Sequence, residues 1–563
     1  MPAVLFSLAL TGALVVGRSL YLTTRLSLIF GSTRDLMLSL LRAVLIFLAT
    51  VIASSLLMRL LAGRRGRLPD AAGPPASPVA RLVMGERWPA LLFVWAILLA
   101  CWLPCLLAYW PGIFSYDMLG VMSQGGSNGY NLIQPLLYTL FAKAVFAVAG
   151  NNYTGILLMS ITQMILLSAA FAVVVWRLNR LRVHAALRWV CLIWFAVYPV
   201  IPLFAIAETK DSFFAAVFAL TTLSLIELTR EPGPFFSSLG RPIALGAELL
   251  LLGMLRDNAV IVLALLTILI AVFQRKDWGA VSPKLVSIVG GAAVVTLLIS
   301  HVLLPALGVH RLWSRMELSV PVQQVGYTHK LNAPAFTQKQ RDAIYYWIRA
   351  DVDHDYNPRF ADPLMMYSHD WGLDRASAGF FKVWLQLGIK YPDCYTEAFL
   401  NLTLQSWYPG TTYPDLYAQR DYIETNIYYQ AGVTRASKAP ALYALYEDIA
   451  ISADWDRIPV ASLLFDTGVP IWFMLFGIAA SVFRKTRRDL IVFLLPLCLW
   501  ATIMLGPVTN GRYMFPFFAS YPLWIVALLS ARPRPDEQAT PASEEVETGG
   551  PSQVPSDRTS GIL

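Results

Sequence analysis

Hydrophobic positions in this chain come in long runs separated by short polar breaks, the pattern of a polypeptide that crosses a bilayer repeatedly. A helix needs about 20 apolar residues to span the hydrocarbon core. Stretches that meet or approach that length lie at 3–22, 36–62, 88–110, 153–176, 189–207, 212–229, 243–255, 258–273, 283–305, 459–483, 489–507 and 513–531. Those at 243–255 and 258–273 are short and read equally well as one helix pair broken at Arg256-Asp257-Asn258. The first run reads as a span, since no positive n-region precedes it and no small-residue cleavage site follows. The predicted fold is an all-α polytopic membrane protein with about twelve transmembrane helices.

The breaks divide the chain. Residues 1–62 form a two-helix N-terminal extension, and 63–87, beginning "GRRGRLPDAAGPPASP", form a cytoplasmic linker. Residues 88–305 hold the main transmembrane core, and 459–531 return as C-terminal spans. Between them, 306–458 has no spanning run but many aromatics and short helical patterns, so it is expected to be a mostly helical external domain. The tail 532–563 is rich in Pro, Glu and Ser and is expected to be disordered.

Composition agrees with this reading. Of 563 residues 56% are hydrophobic and 14% charged, against roughly 25% charged in soluble chains. The basic segments 63–67, 177–182, 274–276 and 484–488 fall on one face, which marks it as cytoplasmic. Both termini are then cytoplasmic and Asp117 is external, although Arg18, Arg25 and Arg34 depart from the rule. The net charge of +8 reflects anchoring to anionic membrane lipid. No basic, aromatic-interleaved patch calls for nucleic acid. The five cysteines suggest no disulfide framework.

Chemistry gathers in the external loops. The stretch "YWPGIFSYDMLG" ends a span at Pro111-Gly112 and presents Asp117 beside Tyr116. Gln134 opens "QPLLYTLF", an amphipathic helix expected to lie along the membrane surface. Glu208, Lys210 and Asp211 form the turn "ETKDSFF"; Arg256 lies in "LRDN" and Arg512 in "TNGRYMFPF". Each alone is consistent with an ordinary interfacial residue. Together they put carboxylates and cations at one membrane face, where ionisable groups tend to mark a working site. A carboxylate could take a proton from an acceptor hydroxyl while cations, Arg above all, hold a phosphate. "DVDHDYNP" (351–358) is oxygen-rich but lacks calcium-loop spacing, and the six histidines lack metal-ligand spacing. No metal or other cofactor is indicated, a divalent cation being the one conceivable addition.

These motifs carry a resemblance. "WPGIFSYD", "ETKDSFF", "LRDN", "VPVQQVGY" (320–327), "FADPL" (360–364) and "GRYMFPF" resemble an uncharacterised bacterial membrane-protein family with the architecture of the GT-C class of glycosyltransferases. The likeness covers about 88–531. It departs at Gln134, where many relatives have His, and at Asp257, where the family's motif has Asn. The resemblance implies an inverting transfer of sugar from a polyprenyl-phosphate-linked donor to a glycan, lipid or protein acceptor of the cell envelope. The reaction would take place on the outer face of the bacterial cytoplasmic membrane. It makes Asp117 the general base. Because each sits at an external span end in a different loop, Lys210, Arg256 and Arg512 are the candidates for holding the donor phosphate, with Asp211, Glu208, Tyr116, Gln134, Gln323 and Gln324 as further donor-site candidates. A flippase for a lipid-linked saccharide and a non-enzymatic envelope scaffold are the competing readings.

Overall fold

The computed structural model describes residues 1–63, 77–126, 129–309, 315–348, 351–366, 377–411, 428–434, 436–449, 458 and 460–529. The expected disordered tail and most of the linker lie outside these residues. Among the described residues the protein is helical, and its few β-bridges are isolated.

The elements that matter run as follows. An N-terminal hairpin comprises α1 (Pro2–Thr23) and α2 (Thr33–Gly63). The next group contains α3 (Trp88–Ala108), the short α4 (Tyr116–Met122), α5 (Leu136–Ala149) and α6 (Asn152–Arg180). Then come α7 (Ala185–Val197), α8 (Val200–Ile206), α9 (Lys210–Arg230), α10 (Gly240–Leu255), α11 (Ala259–Leu269) and α12 (Ser282–Leu298). The segment between the spans holds α13 (Ser319–Asn332), α14 (Asp362–Met366), α15 (Ser377–Lys390), α16 (Pro392–Leu402) and α17 (Pro440–Glu447). The chain closes with α18 (Val469–Phe483), α19 (Leu490–Ile503) and α20 (Gly511–Leu529).

Among the described residues seven helices are long and apolar enough to cross a membrane, or eight if α7 and α8, bent by 52°, make one span. This is a membrane protein. One of the seven runs from Ala259 to Ala306 and doubles back near Gly279, so that α11 packs on α12. The expected spans at 243–255, 459–483 and 489–507 appear as the shorter helices α10, α18 and α19.

Burial ranks the helices. In α9 the apolar window is 83% buried and in α2 only 6%, so α9 is the central post and α2 faces outward. The two ends of α9 carry different chemistry. Near its C-terminus Glu227 pairs with Arg177 of α6 at 2.7 Å, and Arg177 also reaches Glu248 of α10 at 3.2 Å. The helical stretch ending at Trp278 joins the helical turn Arg487–Asp489 through Gln274–Arg487 and Arg488–Asp277 hydrogen bonds. At the N-terminus of α9, about 25 Å away at 1.5 Å per residue, sit Lys210 and Asp211.

The segment from Leu318 to Leu402 has an apolar core of its own, built around Val322, Val325, Ile344, Trp347 and Leu387. It grips the N-terminal hairpin. Glu397 accepts the Leu26 N–H at 2.7 Å, Asn401 donates to the Thr24 carbonyl at 2.7 Å, and the buried Arg359 donates to Asn401 at 2.7 Å. The turn between α1 and α2 therefore shares a face with this unit. Farther along, α17 packs against α3, with the Tyr109 hydroxyl donating to Glu447 at 3.2 Å.

Candidate functional site: a buried charge cluster at the head of the central helix

The site begins with a break in the backbone. Between α8 and α9 the chain is non-helical from Ala207 to Thr209, where burial would leave peptide groups without partners. Neighbours satisfy them. Ile113 pairs with Ala207 in a parallel bridge, taking the Ile206 carbonyl at 3.3 Å and returning its own to the Glu208 N–H at 3.1 Å. Gln163 of α6 donates to the carbonyls of Phe204, Ala205 and Ala207; Ser160 and Ser115 donate to those of Ile206 and Glu208. A polar Gln inside a long apolar helix is explained by this duty.

The bridge depends on Gly112. A Cβ there would run into Ser160, which holds the opposite side of the break. Gly112→Ala is expected to destabilise the protein by about 1–3 kcal/mol. An unchanged thermal unfolding midpoint in detergent would contradict this account of the turn.

The turn delivers Asp117 on the first turn of α4. Its Oδ2 meets Lys210 Nζ at 3.2 Å and Arg512 Nη1 at 3.3 Å. Gln134, buried just ahead of α5, accepts a short hydrogen bond from Lys210. Arg512 continues to Asp211, with Nε 3.3 Å from Oδ2, and Arg256 Nε approaches the other oxygen at 3.3 Å. Arg256 is sandwiched over the rings of Phe214 and Tyr513 at 5.2 and 4.8 Å, contacts that suit a flat guanidinium. Three cations and two carboxylates thus form one chain across four elements. Thr209 caps α9 and places Asp211 in its first turn, where the helix dipole favours a negative charge.

Burial alone would raise the Asp117 acid, but Arg512 and Lys210 more than offset it and hold the carboxyl below its usual range. Asp117 is an anion at any physiological pH. Glu208 is the opposite case: fully buried and facing no cation among the described residues, it is pushed well above the carboxylate range by burial. Both its oxygens lack hydrogen-bond partners among the described residues, so it is a neutral acid beside the cluster.

Sequence reasoning expected Asp117, Gln134, Lys210, Asp211, Arg256 and Arg512 at one site, and the structure brings them together. Three other residues fall elsewhere. Tyr116 is 59% exposed and turns away from the cluster, because adjacent helical residues point about 100° apart. Gln323 donates to the Asn357 carbonyl at 2.5 Å, and Gln324 bridges the Tyr395 carbonyl and the Trp384 indole. Those two glutamines brace the separate core instead of meeting the charges. In the oxygen-rich loop, Asp351 caps a short helix by accepting the N–H groups of Asp353 and His354.

One residue was missed. Asp362, in the quoted "FADPL", opens α14 next to the charge cluster. The Ala361 N–H donates to the Pro507 carbonyl at 2.9 Å, and Phe360 bridges Val508, just before α20 and Arg512. Burial and Asp117 raise its acid while Arg512 opposes them, leaving it at about 6. An acid before proline in an apolar stretch was the available signal.

A central buried helix, a broken backbone at its head and a walled-in charge chain define the class: a helical, multi-span membrane protein with a polar site at one end of its core. More narrowly, the chain belongs to a family of unknown function, DUF6020, whose model matches residues 127–542. The match takes in every cluster residue except Asp117, which lies just ahead of it. Comparisons with curated proteins and with solved structures found no significant match.

Proposed function

We propose that this protein is an integral-membrane glycosyltransferase that moves a sugar from a polyprenyl-phosphate donor to a cell-envelope acceptor. The observation that carries the reading is the pair of cations on one oxygen of Asp117. Lys210 and Arg512 can pass to a donor phosphate without leaving the site. In the resting site they make Asp117 a weak base. A phosphate that draws them away restores its proton affinity at the moment an acceptor hydroxyl must be deprotonated. The acceptor oxygen then forms the new bond to the anomeric carbon as the carbon–phosphate-oxygen bond breaks, with inversion. The proton goes to Asp117, and the polyprenyl phosphate leaves against Arg512, Lys210 and Arg256. The lipid chain would lie along α5, whose Leu137, Leu140 and Val148 are exposed.

In the topology that accompanies this reading, twelve crossings are counted by adding α10, α18, α19 and both arms of the Ala259–Ala306 segment to the longer spans. The basic loops face the cytoplasm with both termini, and the cluster faces outward in a bacterial cytoplasmic membrane. In a chain stripped of its five native cysteines, single cysteines replacing the exposed Lys382 and Lys485 are expected to react with an impermeant maleimide from opposite sides. Labelling of both from one side would undo this arrangement.

The bend between α7 and α8, with the head of α9 aimed at the charges, also favours a second reading, a transporter of a lipid-linked saccharide. A deletion strain separates the two. Loss of one envelope sugar decoration without accumulation of its lipid-linked precursor supports transfer. Accumulated precursor with unchanged decoration supports transport and overturns the first reading.

A further inference from the structure

Two observations meet at Asp362. One is placement: the bridge to Val508 and the bond to Pro507 fasten the head of α14 beside Arg512, so the segment outside the membrane core reaches the charge chain there. The other is isolation: Asp362 Oδ1 is buried without a hydrogen-bond partner among the described residues. We propose that Asp362 is a charge gate, and that the site takes up a singly charged phosphodiester together with one proton on Asp362. The proposal deepens the reading above and rests on its placing of a donor phosphate among the cations.

The charge count motivates it. Among the described residues Lys210, Arg256 and Arg512 face Asp117 and Asp211, which leaves one positive charge in excess while Asp362 and Glu208 are neutral. A surplus charge in a buried site is expensive unless a counter-charge accompanies it. Ionised Asp362 can supply that counter-charge in the empty site, and a phosphodiester can supply it in the loaded one. Both at once leave an excess negative charge, so the two compete. A diphosphate brings further negative charge and is disfavoured for the same reason.

Among the described residues the groups that act on Asp362 are few. Arg512 and Asp117 act on its charge from α20 and α4. On the elements packed against α14, Tyr327 is bonded to Glu397, Lys330 lies over the Tyr356 ring, and His329 packs against Phe336. Glu317, Asp353 and His354 are exposed, and Asp355 pairs with His354.

The sign follows from an acid raised to about 6. Below that pH Asp362 is protonated and the anion finds the surplus charge waiting. Above it Asp362 is ionised, and binding must take up a proton. Affinity therefore falls by up to about tenfold per pH unit.

The test uses the purified full chain in detergent and farnesyl methyl phosphate, a diester whose single charge does not titrate near neutrality. A monoester would confuse the result, since its second proton dissociates near pH 6. The dissociation constant is expected to rise about tenfold per unit above pH ~6. Calorimetry at neutral pH in two buffers of different ionisation enthalpy is expected to show uptake of close to one proton. Asp362→Asn is expected to remove the pH slope and bind at neutral pH as tightly as the parent does in acid. No binding, a flat profile without proton uptake, or an unchanged slope in Asp362→Asn overturns the gate. The buffer measurement stands even if that variant folds poorly. Proton-linked binding without any sugar transfer would leave the gate intact and remove only the transferase reading. Sugar transfer with pH-independent binding would do the reverse.

Discussion

Asp117→Asn is expected to lower sugar transfer about 10²–10⁴-fold, the usual share of a positioned general base. The amide matches the carboxylate in size and can still receive hydrogen bonds from Lys210 and Arg512, which now approach Asp117 at 3.2 and 3.3 Å. It cannot take the acceptor's proton. It also frees both cations from an anion, so the variant should hold a donor phosphate at least as tightly as the parent. The expected signature is a fall in kcat with KM unchanged or lowered. A structural role for Asp117 would raise KM or reduce the yield of folded protein. Asp117→Glu should recover part of the loss, because the carboxylate returns displaced and position carries much of the rate. Transfer by Asp117→Asn at the parent's rate would remove Asp117 from the chemistry.

The largest effect on stability is expected at Asp211. Its side chain is fully buried, and it holds Arg256 at 3.3 Å and Arg512 at 3.3 Å. Asp211→Ala leaves the Arg256 guanidinium, only 6% exposed, without its counter-charge. Breaking one partner out of a buried pair costs about 3–5 kcal/mol. The exposed Glu231–Arg241 pair supplies the contrast, because a pair in water contributes about 0–1 kcal/mol. Thermal unfolding in detergent should therefore show a large drop for Asp211→Ala and almost none for Glu231→Ala. Equal shifts would mean the cluster is solvated and its pairing weak.

The spans were legible because hydrophobic length fixes them. The run read at 212–229 appears as Lys210–Arg230, and that at 153–176 as Asn152–Arg180. The convergence of Asp117, Lys210, Asp211, Arg256 and Arg512 was legible for a related reason, since alternating spans return every second loop to one face. What the pattern could not carry was the irregular backbone. Nothing in one dimension pairs Ile113 with Ala207 or assigns Gln163 to three carbonyls, because these are long-range repairs of a local break. Gln323 and Gln324 were expected at the donor site but brace a backbone, as Gln163 does, because an amide in a helix can serve a ligand or a backbone and sequence does not say which. Asp362 escaped because short helices around it offer no periodicity to set which side chains face the core.

The proposed transfer of sugar from a lipid phosphate by the charge chain at the head of α9 can be measured directly. The most direct measurement incubates the purified full chain with a panel of polyprenyl-phosphate-linked monosaccharides and an envelope extract as acceptor, and follows release of polyprenyl phosphate. One donor is expected to be consumed with stoichiometric transfer of its sugar, and Asp117→Asn to leave that donor largely intact. Donors bound by the protein but recovered whole with every acceptor fraction would contradict the account.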